Sequence, residues 1–273
     1  MSTMVVTVHS LNRRSSPVIV GDNIIDAVNS GYSFDSTDEV TNTTGTWYKD
    51  SNGYYYWGGG LTQRTTQSTT NAINSFSMEQ LQFATGARNV YAQRFISFIN
   101  DTCNKYEINT AVRGLCFFAQ IGHESGGLYY TEELASGSEY EGRRDLGNTE
   151  TGDGVRFKGR GLIQISGRNN YNMISRDLGV DFISNPALLG GKNIDQSTSD
   201  QLKNAALSAG WFWNDHNINL VADKININNP IDENENLQNF TRITIDINGG
   251  RNGLNDRIER YKTGLQYFLA QPQ

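Results

Sequence analysis

Along the first sixty residues the apolar positions come in short runs separated by polar turns: Val5-Val-Thr-Val, Val18-Ile-Val, Trp47-Tyr-Lys and Tyr54-Tyr-Tyr-Trp57. Short β-branched and aromatic runs bounded by Gly, Asn, Asp and Ser predict strands. Asn52-Gly53 between two aromatic runs predicts a hairpin, because both residue types tolerate the positive φ of a tight turn. From Gln63 to Ser77 the chain is rich in Thr, Gln, Ser and Asn with little apolar content, which predicts a linker. Beyond it the period changes. Ser77-Met-Glu-Gln reads as a helix start with Ser as N-cap, and Asn89 to Ile99 repeats its apolar residues at helical spacing. Further helices are predicted from Thr110 to Ile121, from Asn204 to Trp213 and from Leu254 to Leu269, the last with Ile258, Tyr261, Leu265 and Phe268 on one face. Gly137 to Gly161 and Asn226 to Asn239 read as loops. The pattern predicts an α+β chain of two domains: an all-β unit over 1–63, a linker over 64–77 and a mainly helical domain over 78–273.

At 273 residues, 37% of them hydrophobic, the chain is long enough for a substantial core. A formal net charge of −6 argues against a nucleic-acid partner and for a neutral or mixed-charge polymer. Cys103 and Cys116 lack metal-ligand spacing and lie in apolar helical contexts, so both are expected to be buried thiols. With His9, His123 and His216 as the only histidines, neither a zinc amidase nor a Cys/His peptidase finds its residues, and no metal or cofactor is implied. The N-terminus lacks a basic segment followed by a long apolar run, and no run approaches the ~18 apolar residues of a spanning helix. The expectation is a monomer made in the cytoplasm without a signal peptide and not inserted in a membrane.

Candidate chemistry centres on Phe118-Ala-Gln-Ile-Gly-His-Glu-Ser-Gly-Gly and the Glu132-Glu133 pair that follows. Hydrolysis of an acetal needs one carboxyl to deliver a proton and a second to activate water. Glu124 closes the apolar run Leu115 to Ile121, whose wall is expected to raise its pKa by desolvation, and is the candidate acid. Glu133 lies nine residues on, past two glycines that let the chain turn back, and is the candidate base. Glu139, Glu141 and Asp145 are rivals for that second role, Glu141 foremost. Ser166, at the end of the strand-like run Ile163-Gln-Ile-Ser, adds a hydroxyl.

His123-Glu124-Ser-Gly-Gly, Tyr140-Glu-Gly-Arg, Asp145-Leu-Gly-Asn, Gly152-Asp-Gly, Phe157-Lys-Gly-Arg-Gly-Leu-Ile-Gln-Ile-Ser-Gly-Arg with Tyr171, and Ile247-Asn-Gly-Gly with Asp256-Arg257-Ile258 together resemble glycoside hydrolase family 19. Within it they most resemble bacteriophage endolysins and chitinase-like lysozymes. The resemblance covers roughly residues 78 to 270. It implies a lysozyme-like helical fold and an inverting mechanism, with Glu124 as acid, Glu133 as base at the endolysin spacing, and Ser166 holding the attacking water. Plant chitinases place the second acid further on, in a loop that is missing here. The resemblance also implies that Gln164, Tyr171 and Asn248 hydrogen-bond substrate N-acetyl and hydroxyl groups, that Arg257 organises the carboxylates, and that His123 orients its surroundings. The expected partner is the glycan strand of peptidoglycan. Chitin is the alternative substrate, and a non-catalytic glycan-binding or virion structural protein the alternative of another class. In the first domain, Leu11-Asn-Arg-Arg-Ser-Ser-Pro, Asn23-Ile-Ile, Gly31 and Trp47 to Trp57 resemble a bacterial SH3-like domain, implying a small β-barrel that binds cell wall. Strand alternation sends half of its aromatic rings to the core and leaves the rest as a platform for sugar or peptide.

Overall fold

The computed structural model describes residues 2–29, 32–63 and 72–269. Of the expected linker, residues 64–71 lie outside the described residues, as does Gly31 of the SH3-like motif. The chain forms two compact units, Met1–Thr70 and Asn71–Gln273.

The first unit contains β1 (Ser2–Val6), β2 (Ser10–Arg14), β3 (Ile24–Asn29), β4 (Ser33–Ser36), β5 (Asp38–Asn42), β6 (Gly45–Lys49), β7 (Tyr55–Trp57) and β8 (Leu61–Gln63). They pair into a three-stranded sheet in the order β4-β1-β8 and a five-stranded sheet in the order β3-β2-β7-β6-β5. The expected barrel is therefore corrected. Closure would need ladder bonds joining the edges of the two sheets, and among the described residues no such pairing exists. The predicted hairpin joins β6 to β7, where Asp50 Oδ1 accepts from the backbone N–H of Asn52 and of Tyr54 at 2.9 Å each and Gly53 takes φ +88°. Val18-Ile-Val is not a strand. Side chains take its carbonyls, Asn23 Nδ2 donating to Val18 O and Arg14 Nη1 to Val20 O, so it stands as an exposed segment. Met4, Val6, Leu11, Val28, Phe34 and Tyr56 form the core of this unit.

The second unit is helical: α1 (Met78–Thr85), α2 (Asn89–Lys105), α3 (Ala111–Glu124), α4 (Asp153–Arg156), α5 (Arg168–Leu178), α6 (Ser199–Asp215), α7 (Ile218–Ala222), α8 (Asn234–Asn248) and α9 (Leu254–Leu269). Ser77 caps α1 in a reciprocal capping box with Gln80, and Thr110 caps α3 by accepting from Arg113 N. Helix α3 buries nearly every residue from Val112 to Gly122, as a helix apolar on all sides must, and packs against α1, α7 and α9. It runs three residues beyond the predicted Ile121, which puts Glu124 in its last turn. The loop expected to end at Asn239 ends at Glu233, immediately before α8. The strand-like Ile163-Gln-Ile-Ser is a turn carrying one isolated bridge, Arg160 to Ile165. Cys103 and Cys116 are buried and unpaired, and desolvation pushes both thiols well above their ordinary range. Among the described residues no helix is long and apolar enough to cross a membrane.

Candidate active site

The last turn of α3 presents Gln120, His123 and Glu124, and the N-terminal half of α9 meets it with Asp256, Arg257 and Arg260. Residues four apart on a helix share a face, so Gln120 and Glu124 point the same way. Arg257, only 1% exposed, answers both: Nη1 donates to Gln120 Oε1 and Nη2 to Glu124 Oε1. A guanidinium buried this deeply needs such partners. Gln120 Nε2 in turn donates to Thr244 Oγ1 of α8 at 3.2 Å. The side chain of Glu124, 17% exposed, thus meets an arginine that the partly apolar wall expected from the sequence did not include.

His123 faces away to another partner. Its Nδ1 lies 2.7 Å from Asp256 Oδ2, which also accepts from Arg260 Nε at 2.6 Å, while Arg260 Nη1 donates to Thr85 O. Partial burial pushes Asp256 up, but the hydrogen bonds from Arg260 and His123 outweigh it and hold the carboxyl below its usual range. One turn of α9 therefore fixes two neighbours on α3, Glu124 through Arg257 and His123 through Asp256. Asn248 serves the adjoining loop: Oδ1 accepts from Gly250 N at 2.8 Å and Nδ2 donates to Asn252 O at 2.9 Å.

After Glu124 the chain reverses through Gly126 and Gly127, at φ +59° and +70°. Residues 131–133 then run beside 159–161, with Glu133 N donating to Gly159 O and Gly161 N to Thr131 O, each at 2.9 Å. The two acidic neighbours find different partners. Glu132 takes Lys158 Nζ and Arg160 Nε, both at 2.9 Å. Glu133 accepts from Gly159 N at 2.9 Å through Oε2 and from the Tyr140 hydroxyl at 3.3 Å through Oε1. Burial, and then the charge of Glu133, push the Tyr140 phenol up, so it stays a donor.

Gly159 is where this half of the site converges. A Cβ there would stand 2.9 Å from Gln164 Oε1 and 3.1 Å from Glu133 Oε2, so the bare backbone lets both side chains close over it. Gln164 adopts φ +59°, a costly conformation for a side chain of its size, with Nε2 donating to Gly161 O at 2.9 Å. Ser166, half-buried, donates its hydroxyl to Gln164 O at 3.0 Å. Tyr171 departs from the expected role of touching sugar. It is fully buried, its hydroxyl donating to Lys158 O at 2.8 Å and accepting from Arg160 Nη1 at 3.0 Å, so it props the backbone next to Gly159. Desolvation pushes its phenol far up.

Two of the rival carboxylates, Glu141 and Asp145, are occupied elsewhere. Glu141 uses both oxygens on the backbone N–H groups of Gly152 and Gly154, at 2.7 and 2.9 Å, which makes it a clamp for that loop. Asp145 pairs with Arg143 Nε at 2.8 Å, and Glu139 is exposed. The predicted residues thus gather in two groups, His123, Glu124 and Arg257 beside the Asn248 loop, and Glu133, Gln164 and Ser166 above Tyr171. Gln120, Tyr140, Asp256, Gly159 and the Glu132–Arg160 pair were not anticipated. Tyr140, Gly159, Arg160 and Asp256 lie inside the quoted family motifs but carried no role there, and Gln120 carried a signal of its own, its place one turn before Glu124. Among the described residues no group of three or more His, Cys, Asp or Glu is placed to hold a metal ion.

Residues 65–250 match the glycoside hydrolase family 19 model, described as chitinase class I. A Haemophilus influenzae protein described as glycosyl hydrolase family 19 domain-containing is 28% identical over 177 residues, 54% of this chain and 75% of that protein. An Arabidopsis thaliana endochitinase is 26% identical over 217 residues, 77% of this chain and 66% of that protein. The crystal structure of chitinase C from Streptomyces griseus aligns with 76% of this chain and 99% of its own at 21% identity, with a TM-score of 0.49.

Proposed function

The chain belongs to glycoside hydrolase family 19 and is a glycosidase by that membership; from this premise we propose that it is an endolysin-type N-acetylmuramidase, cutting the β-1,4 glycan strand of peptidoglycan with inversion. The observation that carries the reading is the contrast between its two carboxyls. Glu124 is engaged at Oε1 by Arg257, whereas among the described residues the Glu133 carboxyl receives a backbone N–H and a phenol. In the proposed mechanism Glu124 passes a proton from Oε2 to the glycosidic oxygen, and positive charge grows at the anomeric carbon as the bond breaks. Arg257 then offsets the carboxylate left behind. Glu133 takes the proton of a water that attacks from the opposite face, and Ser166 Oγ, its own hydrogen given to Gln164 O, accepts the other hydrogen of that water. The Glu132–Arg160–Tyr171 network holds the Gly159 backbone on which Glu133 rests.

The nine-residue spacing of the two acids supports the endolysin reading, as does the β unit ahead of the catalytic one. We place the action at the bacterial wall after release from the cytoplasm. Chitin is the second reading, favoured by the endochitinase names of the plant relatives. The test is mass spectrometry, after borohydride reduction, of products from purified peptidoglycan and from chitin oligomers, with wild type and Glu124→Gln. Reduced muramic acid ends made only by the wild type establish the muramidase; cleavage of chitin alone moves the assignment to chitinase. No product from either polymer returns the chain to glycan binding.

A further inference from the structure

We propose that Trp57, in the N-terminal unit, is the platform of a second glycan-binding site, one that takes an uncharged stretch of β-1,4-linked N-acetylhexosamine. The chain has four tryptophans. Trp47, Trp211 and Trp213 are buried, while Trp57, at the end of β7, is 39% exposed.

Its exposed ring is fixed in place. The indole Nε1 donates to Thr44 O at 3.0 Å, so the ring leaves no donor unmet. A Cβ on Gly59 would stand 2.2, 2.4 and 2.6 Å from Cη2, Cζ3 and Cζ2. Such similar distances to three adjacent ring carbons put the Gly59 backbone over the face of the six-membered ring. A Cβ on Gly45 would come within 3.0 Å of Nε1. Two glycines thus let the turns on either side close on the indole, which offers its remaining surface with little side-chain entropy left to lose on binding.

What that surface fits follows from its chemistry. An indole face is electron-rich and apolar, which suits the C–H face of a pyranose. The rim at the β5–β6 turn is neutral, with Thr44 at the indole and Thr43 beside it both exposed, while Lys49 Nζ lies 5.2 Å from the centroid of the Tyr55 ring further along the same face. Hydroxyls of this kind match sugar hydroxyl and N-acetyl groups. Tyr55 lies two residues earlier on the same face of β7, extending the aromatic stripe along the strand. The choice of glycan over other occupants rests on the proposed hydrolase reading, since a second site on the same chain makes capture of the strand partly intramolecular.

Two measurements on the full-length chain test this, both in the Glu124→Gln background so that ligand survives. First, N-bromosuccinimide is expected to oxidise Trp57 ahead of the three buried tryptophans, and soluble N-acetylglucosamine oligomers to slow that oxidation several-fold, read by peptide mass spectrometry. This uses the unaltered fold around Trp57. Second, cosedimentation with insoluble chitin and with peptidoglycan stripped of its stem peptides is expected to fall roughly tenfold for Trp57→Ala and to be largely kept by Trp57→Phe. Oxidation of Trp57 unaffected by oligomers overturns the proposal, as does protection by stem peptides alone or by raised protein concentration alone. Product release by the wild type is scored separately: hydrolysis without protection of Trp57 sinks only this inference, and protection without hydrolysis supports the site while sinking the hydrolase reading.

Discussion

Glu132 and Glu133 differ in what reaches them, and the difference predicts how each responds to loss of its charge. Glu133→Gln keeps the shape and an acceptor for Gly159 N, so turnover is expected to fall by about 10²–10⁴-fold with the melting temperature almost unchanged. Glu132→Gln strips Lys158 and Arg160 of their shared counter-charge and should cost about 1–3 kcal/mol of stability with a smaller loss of turnover. Initial rates and thermal melts of the two variants separate the roles; a Glu132 variant that lost turnover without losing stability would reverse them. Gly159→Ala adds a Cβ between Gln164 and Glu133 and is expected to lower turnover together with roughly 1–3 kcal/mol of stability. The place of Glu124 at the end of a helix was readable because an apolar helical run leads up to it. The second carboxyl was open to the rivals Glu139, Glu141 and Asp145, because the groups that reach Glu133 and Glu132, Gly159 N and Arg160, arrive from 26–28 residues away. Tyr171 was misread for a related reason: a tyrosine side chain supports a loop or a ligand equally well until its burial is known.

Helix α5 is tied to the start of α4 by Arg168, whose Nη2 and Nε reach the two oxygens of buried Asp153, the Nε bond being 2.9 Å long. Hydrogen bonds from Arg168 hold the Asp153 carboxyl below its ordinary value of 3.8. A depressed carboxyl stabilises the fold above its unfolded pKa and loses that contribution as pH falls through the folded value. Asp153→Asn is therefore expected to lower the melting temperature at neutral pH, with the gap to wild type closing well below pH 3.8; a gap independent of pH would show that charge is not its source. Helices such as α1, α3 and α9 were legible from apolar spacing and, for α1, from the cap Ser77, since both act within a few residues. The segments around Ile163 and Val18 were not. Each has strand-like composition, but Gln164 turns left-handed and side chains claim the Val18 and Val20 carbonyls, so neither builds a ladder.

The core of the helical unit draws on residues from Phe76 to Phe268, and Ile73 N is already donated to Asn109 O. A chain beginning at residue 72 is accordingly expected to fold and to keep its turnover of soluble oligosaccharides, checked by circular dichroism and product analysis; collapse of either would show that the first unit is needed for more than binding. The division into a β unit and a helical unit followed from the sequence, because a change of hydrophobic period from two to 3.6 is written in neighbouring residues. So did the position of the candidate acid and the ordered motifs of the family. Whether the strands close on themselves was left to tertiary structure, since strand pairing joins residues far apart and no local pattern records which edges meet. For Glu124 the family resemblance named Arg257 although no local pattern did, and the partners of Glu133 were left to tertiary structure. Arg257 is 133 residues from the first, and only folding brings α9 against α3 to place it there.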